Sequence, residues 1–172
     1  MRSIQLITGA LAVVATSSLI GLGSAAVASD TTTTRERGNL LECTGTHHGR
    51  PVYASLYENS RYGNTIQILV GDDDHQVGGS RDGKPAFVDG RDVRGTLQIG
   101  GSRAVVEGVA HKVGKRIAVH EVHDDAGQHI IVNGYHRRLA NDLTLTWKGR
   151  TVPLDCDNAF AYDLQVTKSP IE

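Results

Sequence analysis

Two cysteines far apart in the chain place the strongest constraint on its fold. Cys43 and Cys156 are separated by 113 residues, and the chain contains no other cysteine. In an exported chain such a pair favours a disulfide, with two buried free thiols as the alternative. A disulfide requires Cα atoms within about 7 Å of each other. The segments around Cys43 and Cys156 must therefore be neighbours, or face each other across a core.

The N-terminal segment indicates export. Residues 1–28 carry one charge, Arg2, and an apolar stretch that ends in the small-x-small sequence Ala26-Val27-Ala28. This layout is typical of a secretory signal peptide. A membrane anchor is the alternative, but glycines and serines interrupt the apolar stretch and no basic cluster follows it. We predict a signal peptide over 1–28, no membrane span in the mature chain, and a secreted, extracellular or cell-envelope location.

The remaining sequence predicts one domain with short polar ends. Residues 29–39 contain a threonine run followed by alternating charges. Such a segment cannot bury apolar surface, so it is predicted to be a flexible linker. No later change in composition marks a second boundary. A single β domain is expected over 40–167, followed by a C-terminal tail over 168–172.

Apolar residues recur at every second position in several segments. Ile66, Ile68 and Val70 occupy alternate positions of TIQILV. The same alternation recurs in PVYASLY, LTLTWK and FAYDLQV. Because successive side chains of a strand point to opposite sides, this pattern predicts strands with one side on a core and the other in water.

Turn residues separate these segments. Glycine and aspartate clusters recur between them, and QVGGSR (76–81) and QIGGSR (98–103) are both interpreted as Gly-Gly turns that follow a strand. Short strands at such spacing predict an all-β antiparallel meander of roughly eight to ten strands. With the first and last strands tied together, we expect a closed up-and-down barrel, and a two-sheet sandwich is the alternative.

The charge pattern excludes two classes of partner. The chain has 18 basic and 19 acidic residues, and removal of a signal peptide containing Arg2 would take the formal net charge from −1 to −2. Neither sign forms a long run. Nucleic acids and anionic membrane surfaces require clustered positive charge, so neither is expected as a main partner.

The stretch HEVHDDAGQH (120–129) concentrates metal-binding residue types. It contains three histidines, one glutamate and two aspartates. The zinc motif H-E-x-x-H requires histidines four residues apart on one side of a helix. His120 and His123 are three residues apart in a segment that alternates as a strand does, so they point to opposite sides. A compact metal site within this stretch is therefore not expected.

Turn positions suggest a different cluster. If Val113-Gly114 is a hairpin turn and 124–127 is a four-residue loop, Glu107 lies opposite His120, with His129 diagonal to it. Two imidazoles and a carboxylate at that range could bind zinc or act as an acid/base pair. The alternative is a solvated sheet surface with one Glu–His contact. We keep Glu107, His120 and His129 as candidate binding residues and predict no cofactor.

These observations favour a secreted, non-catalytic binding or interaction protein. The sequence contains no catalytic motif, its charge is balanced, and small disulfide-linked β domains often act as inhibitors or carriers. The expected partner is an extracellular protein or small molecule. A small secreted enzyme or metal-binding protein that uses the Glu/His/His cluster is the alternative, and a structural component of the cell envelope is a third.

Overall fold

A computed structural model describes residues 31–72 and 74–171. The predicted signal peptide lies outside these residues. The described part forms one antiparallel sheet of ten strands without a helix, which confirms the all-β prediction. It follows that no described helix has the length and hydropathy needed to cross a membrane. The strands are β1 (Thr32–His47), β2 (Arg50–Asn59), β3 (Gly63–Val70), β4 (Val77–Gly83), β5 (Val88–Asp89), β6 (Asp92–Ile99), β7 (Ser102–Lys112), β8 (Ile117–Asp125), β9 (Gln128–Trp147) and β10 (Arg150–Pro170).

Burial alternates along the strands as the apolar pattern predicts. Ile66, Ile68 and Val70 of β3 are fully buried, whereas the residues between them are partly exposed. Trp147 at the end of β9 is also buried. The buried side chains form one core, whose largest fully enclosed members are Leu41, Leu56, Ile66, Ile68, Ile99, Leu143 and Leu145.

The first and last strands meet in the middle of the sheet. The strand order is β4-β3-β2-β1-β10-β9-β7-β6-β5, so β1 and β10 are neighbours at its centre. Cys43 on β1 and Cys156 on β10 form the predicted disulfide. The sequence argument that the first and last strands are adjacent is therefore confirmed.

The expected closed barrel is not confirmed, because the sheet is an open half-barrel. The strands on the two sides of the central pair curl towards each other. As a result, a Cβ added to Gly95 of β6 would lie 2.6 Å from the side chain of Ile66 on β3. Gly79 of β4 also lies close to β6, but β4 and β6 do not pair within the described chain. The disulfide leaves the sheet open because it joins central strands and not the edges.

One long strand divides the sheet into two regions. β9 has 20 residues, and on one side its C-terminal half pairs with β7 while its N-terminal half pairs with β8. The C-terminal half belongs to the half-barrel. The N-terminal half, together with parts of β1, β8 and β10, forms a four-stranded extension that we call the arm (32–39, 117–125, 128–138 and 160–170).

The arm corrects two sequence-based boundaries. Residues 32–39, predicted as part of a flexible linker, are the first half of β1 and pair with residues 161–168 of β10. The predicted tail from 168 is also strand as far as Pro170, which pairs with Gln128. These polar segments are ordered because backbone pairing within the sheet satisfies their hydrogen bonds, although they bury little apolar surface.

Candidate functional site

The structure separates Glu107 from His120. β7 and β8 do not pair with each other, because both lie along β9. Glu107 on β7 is paired with Thr144 and Arg94, and its carboxylate lies 3.7 Å from the Arg94 guanidinium. His120 on β8 is instead paired with Asn133. The predicted β7–β8 hairpin register is therefore wrong.

Glu107 and His120 also lie on opposite sides of the sheet. Paired residues of neighbouring strands point to the same side, and sides alternate along each strand. The partner of Glu107 is Thr144 and the partner of His120 is Asn133, which are an odd number of positions apart on β9. The two side chains therefore cannot converge on a common ligand.

His120 and His129 share one side of the arm but are not adjacent. The β8–β9 turn has two residues, Ala126 and Gly127, so His129 is paired with Asp124. His129 is thus four positions from Asn133, the partner of His120, which corresponds to about 13 Å along the strand. Each imidazole Nδ1 lies 2.7 Å from its own partner, Asn133 Oδ1 for His120 and Asp124 Oδ1 for His129.

No metal site replaces the predicted cluster. Within residues 31–72 and 74–171, no three histidine, cysteine, aspartate or glutamate side chains are grouped as a metal ion requires. His120 and His129 instead make local cross-strand contacts. Nothing in the described geometry assembles Glu107, His120 and His129 into one centre.

A different set of side chains converges where the arm joins the half-barrel. We call this feature the cationic cleft, a depression of about 310 Å³. Two of its residues, Tyr135 and Asp163, lie on neighbouring strands of the arm and are paired with each other. Four cations line the cleft, Arg37, Lys112, Arg116 and Arg137.

Asp163 is the central anion of the cationic cleft. The guanidinium of Arg35 donates two hydrogen bonds of 2.7 Å to its carboxylate. Arg37 lies 3.1 Å from the same group, and the Tyr135 hydroxyl donates to it at 3.2 Å. The hydrogen bonds from Arg35, with smaller contributions from Tyr135 and Arg37, outweigh desolvation and hold the pKa of Asp163 well below its usual value. Asp163 is therefore ionised at neutral pH.

The other three cations of the cleft have no acidic partner. In the described part of the chain, no carboxylate lies within 4.0 Å of Lys112, Arg116 or Arg137. The Arg116 guanidinium lies over the Tyr135 ring at 4.4 Å from its centroid. Arg137 Nε donates to the Gly114 carbonyl at 3.1 Å, which leaves its terminal nitrogens for other contacts. Positive charge is thus in large excess here.

The cleft is assembled from segments that are distant in sequence. Arg37 comes from β1, Lys112 from the end of β7, Arg116 from the link that precedes β8, and Arg137 from the middle of β9. No run of basic residues marks it, so the charge argument in the sequence missed it. One signal was present, since Arg35 and Arg37 occupy alternate positions of a segment that was interpreted as a linker.

The chemistry of the cleft suits an anion. Guanidinium groups present planar pairs of N–H donors that match carboxylate and phosphate oxygens, and a lysine adds a mobile point charge. Arg116 is held in place by its contact with the Tyr135 ring. Asp163 fixes Arg35 and Arg37 but cannot neutralise the whole cluster.

In a second, larger depression, the polar side chains of the lining hydrogen-bond to a neighbouring loop. The depression measures about 760 Å³ and lies beside the loop that follows β4. The buried Glu58 carboxylate accepts hydrogen bonds from the backbone N–H groups of Phe87 and Val88. Asn64 donates to the carbonyls of Lys84 and Pro85 at 3.0 and 2.9 Å. These side chains anchor the loop, so we assign this depression a structural role.

Comparison with known proteins adds no functional assignment. No protein family matches the chain, and neither the curated proteins nor the solved structures contain a significant match.

Proposed function

We propose that this chain is an exported, non-catalytic binding protein whose cationic cleft holds a small anionic molecule. The apolar leader over 1–28 and the Cys43–Cys156 disulfide support export to an oxidising compartment. Glu107, His120 and His129 take no part in the proposed site. The ligand is an extracellular small molecule that carries a carboxylate or phosphate group.

One observation carries the proposal: Lys112, Arg116 and Arg137 converge without an acidic partner. Like charges brought together repel each other, so a folded protein gains little by collecting them unless an anion is bound between them. The whole chain is slightly acidic, with a formal net charge of −1. The positive cleft is therefore a local feature of the fold and not a consequence of composition.

The size of the cleft indicates a small ligand or a single anionic group. Sites for small molecules usually have volumes of about 300–1,000 Å³, and the cleft lies at the lower end of that range. Apolar surface is provided by Ala161 and the Tyr135 ring. The cleft can thus hold an anionic head while leaving room for a short apolar portion.

Titration calorimetry with the exported protein tests this function. Inorganic phosphate and citrate are titrated separately at constant ionic strength, which distinguishes a phosphate ligand from a carboxylate ligand. We expect saturable binding of at least one of them. Lys112→Gln and Arg116→Gln should each weaken it about tenfold, the effect of losing one charge-assisted hydrogen bond.

The matched control is Arg103→Gln, which makes the same change in net charge. Arg103 is an exposed residue of β7 and does not line the cationic cleft. Its substitution should leave the affinity unchanged. Absence of saturable binding to both probes, or an equal loss of affinity in Arg103→Gln, would contradict the proposed function.

A further inference from the structure

The sheet has free strand edges at both of its ends and on both sides of the arm, at residues 32–39 of β1 and at β8, and these edges are not alike. β4 ends the sheet with a glycine-rich, charged sequence, and β5 at the other end has only two residues. A very short edge strand limits pairing with another chain, and glycine weakens a strand because it has no side chain to pack. β8 has nine residues without glycine or proline and pairs only with β9 in the described chain. Its outer edge therefore offers backbone N–H and C=O groups to another strand.

The side chains of β8 are unusually exposed for their type. Ile117 is 55% exposed and Val122 is 51% exposed. They lie on opposite sides of the strand, so neither side of β8 is covered by the rest of the molecule. A further strand added to this edge would cover part of both.

The charges along this edge are arranged in two blocks. The segment 115–125 reads KRIAVHEVHDD, with Lys115 and Arg116 at its N-terminal end and Asp124 and Asp125 at its C-terminal end. A segment that is basic at one end and acidic at the other is complementary to an antiparallel copy of itself. We propose that β8 is a self-association edge, where it pairs antiparallel with β8 of a second copy of the chain.

The charge blocks also select the register. In a two-fold symmetric antiparallel pair, one residue must lie opposite its own copy. Lys115 and Arg116 lie in the link just before β8, which begins at Ile117. If they continue the strand and His120 is at the centre, Lys115 lies opposite Asp125 and Arg116 lies opposite Asp124. A register centred on Glu121 would oppose two carboxylates and lose these charge pairs.

The same register covers the exposed apolar residues. It places Ile117 opposite His123 of the second copy, and Val122 opposite Ala118. The contact is closed, because each copy uses the same edge and no free β8 edge is left for a third chain. The two four-stranded arms become one continuous sheet. This inference shares one residue with the proposed anion site, because Arg116 lines the cationic cleft and would lie opposite Asp124 of the second copy. The Lys115–Asp125 pairs lie outside the cleft, and the test uses them.

Sedimentation velocity of the exported protein over a range of concentrations tests the association. We expect a monomer–dimer equilibrium. Lys115→Asp and Asp125→Lys each turn two attractive contacts into repulsive ones, and should weaken the dimer about tenfold. The double variant exchanges the two charges and should restore the dimer. Neither residue lines the cationic cleft, and urea unfolding of each variant provides the check of the fold.

A cysteine substitution tests the register directly. His120→Cys should form an intermolecular disulfide under oxidising conditions, because residue 120 lies opposite its own copy with Cβ atoms about 5 Å apart. Glu121→Cys is the matched control, since residue 121 lies opposite Val119 and should cross-link weakly. A chain that stays monomeric at high micromolar concentration would overturn the inference. So would a dimer that the charge reversals leave unchanged, or equal cross-linking by the two cysteine variants.

Discussion

The Cα atoms of Cys43 and Cys156 lie 3.9 Å apart on the two central strands of the sheet. β10 carries an extra residue at this point, because Glu42 pairs with Asn158 whereas Thr44 pairs with Asp155. The disulfide therefore fixes a bulge between the first and last strands. From this fixed pair the sheet extends outwards in both directions.

Removal of the disulfide tests how much this link stabilises the fold. The loop that it closes spans 113 residues, and the loss of entropy in the unfolded chain is worth about 4–5 kcal/mol on the chain-entropy model. Cys43→Ala with Cys156→Ala should lower the free energy of unfolding by that amount. Urea unfolding of both proteins under non-reducing conditions gives the measurement. A loss below about 1 kcal/mol would show that pairing alone holds β1 on β10.

The strands of the half-barrel could be predicted because their burial is one-sided. Ile66, Ile68 and Val70 show the period of two that a strand on a core must have. Apart from FAYDLQV in β10, the arm lacks this signal, since several of its strands bury little on either side. Residues 32–39 therefore look like a linker, although they pair with β10 along their whole length.

Register could not be predicted because it depends on distant pairing. The Val113-Gly114 link does not close a hairpin, because β7 and β8 do not pair with each other. Both pair with β9, one after the other along its length. The two similar hexapeptides also adopt structures that depend on their distant partners. In QIGGSR, Gly100 and Gly101 form a turn with positive φ, but in QVGGSR the glycines lie within β4, paired with β3. The second outcome contradicts the turn prediction.

The cationic cleft escaped prediction for the same reason. Arg37, Lys112, Arg116 and Arg137 are spread over a hundred residues, and each is an ordinary surface residue in its own segment. Their proximity follows from β1, β10 and β9 being neighbours in the sheet, and the disulfide indicated only that β1 lies beside β10. The extension of these strands into the arm could not be predicted from the sequence.

Asp163→Asn should separate stability from binding. Loss of the carboxylate removes the ionic hydrogen bonds from Arg35 and leaves the cleft more positive. We expect unfolding to become easier by at most about 1 kcal/mol at neutral pH, because solvent screens the exposed arginines, whereas phosphate should bind several-fold more tightly. Urea unfolding and calorimetry give the two measurements. Weaker phosphate binding in a folded variant would show that Asp163 orients the cations and does not compete with the ligand.

The stabilising effect of Asp163 should depend on pH in a defined way. Because its pKa is lowered in the folded state from an ordinary value of 3.8, its contribution is complete above that pH and declines as the pH falls below it. The stability difference between the wild type and Asp163→Asn should therefore be constant near neutrality and shrink below about pH 4. A difference that grows on acidification would contradict the assigned ion pair.

Gly38 should tolerate no side chain. It lies on β1 opposite Tyr162, and a Cβ added there would be 1.7 Å from the carbonyl oxygen of Glu58. Gly38→Ala should therefore lower the free energy of unfolding by about 3 kcal/mol, through displacement of packed backbone. Gly49→Ala is the control, since its Cβ would meet nothing within 4 Å and should cost only the about 1 kcal/mol of its positive φ. Equal losses in urea unfolding would contradict the close packing at Gly38.

The hydroxyl of Tyr162 should stabilise the junction of the arm with β2. It donates a hydrogen bond of 2.7 Å to the carbonyl of Glu58, and its ring stacks on Tyr57. Tyr162→Phe should therefore cost about 1 kcal/mol near neutral pH. Tyr53→Phe, which loses a longer and more exposed hydrogen bond to Glu42, should cost less.

Alkaline unfolding adds a second measurement on the same residue. Burial, followed by the neighbouring phenol of Tyr57, raises the pKa of Tyr162 above its ordinary value of 10.0. A raised pKa means that the unfolded chain loses this proton first, so the contribution of Tyr162 is complete below pH 10 and declines as the pH rises further. The stability difference between the wild type and Tyr162→Phe should therefore shrink above about pH 10. If it were the same at pH 8 and at pH 11, Tyr162 would have to titrate as an exposed phenol does, and the buried hydrogen bond to Glu58 would be wrong.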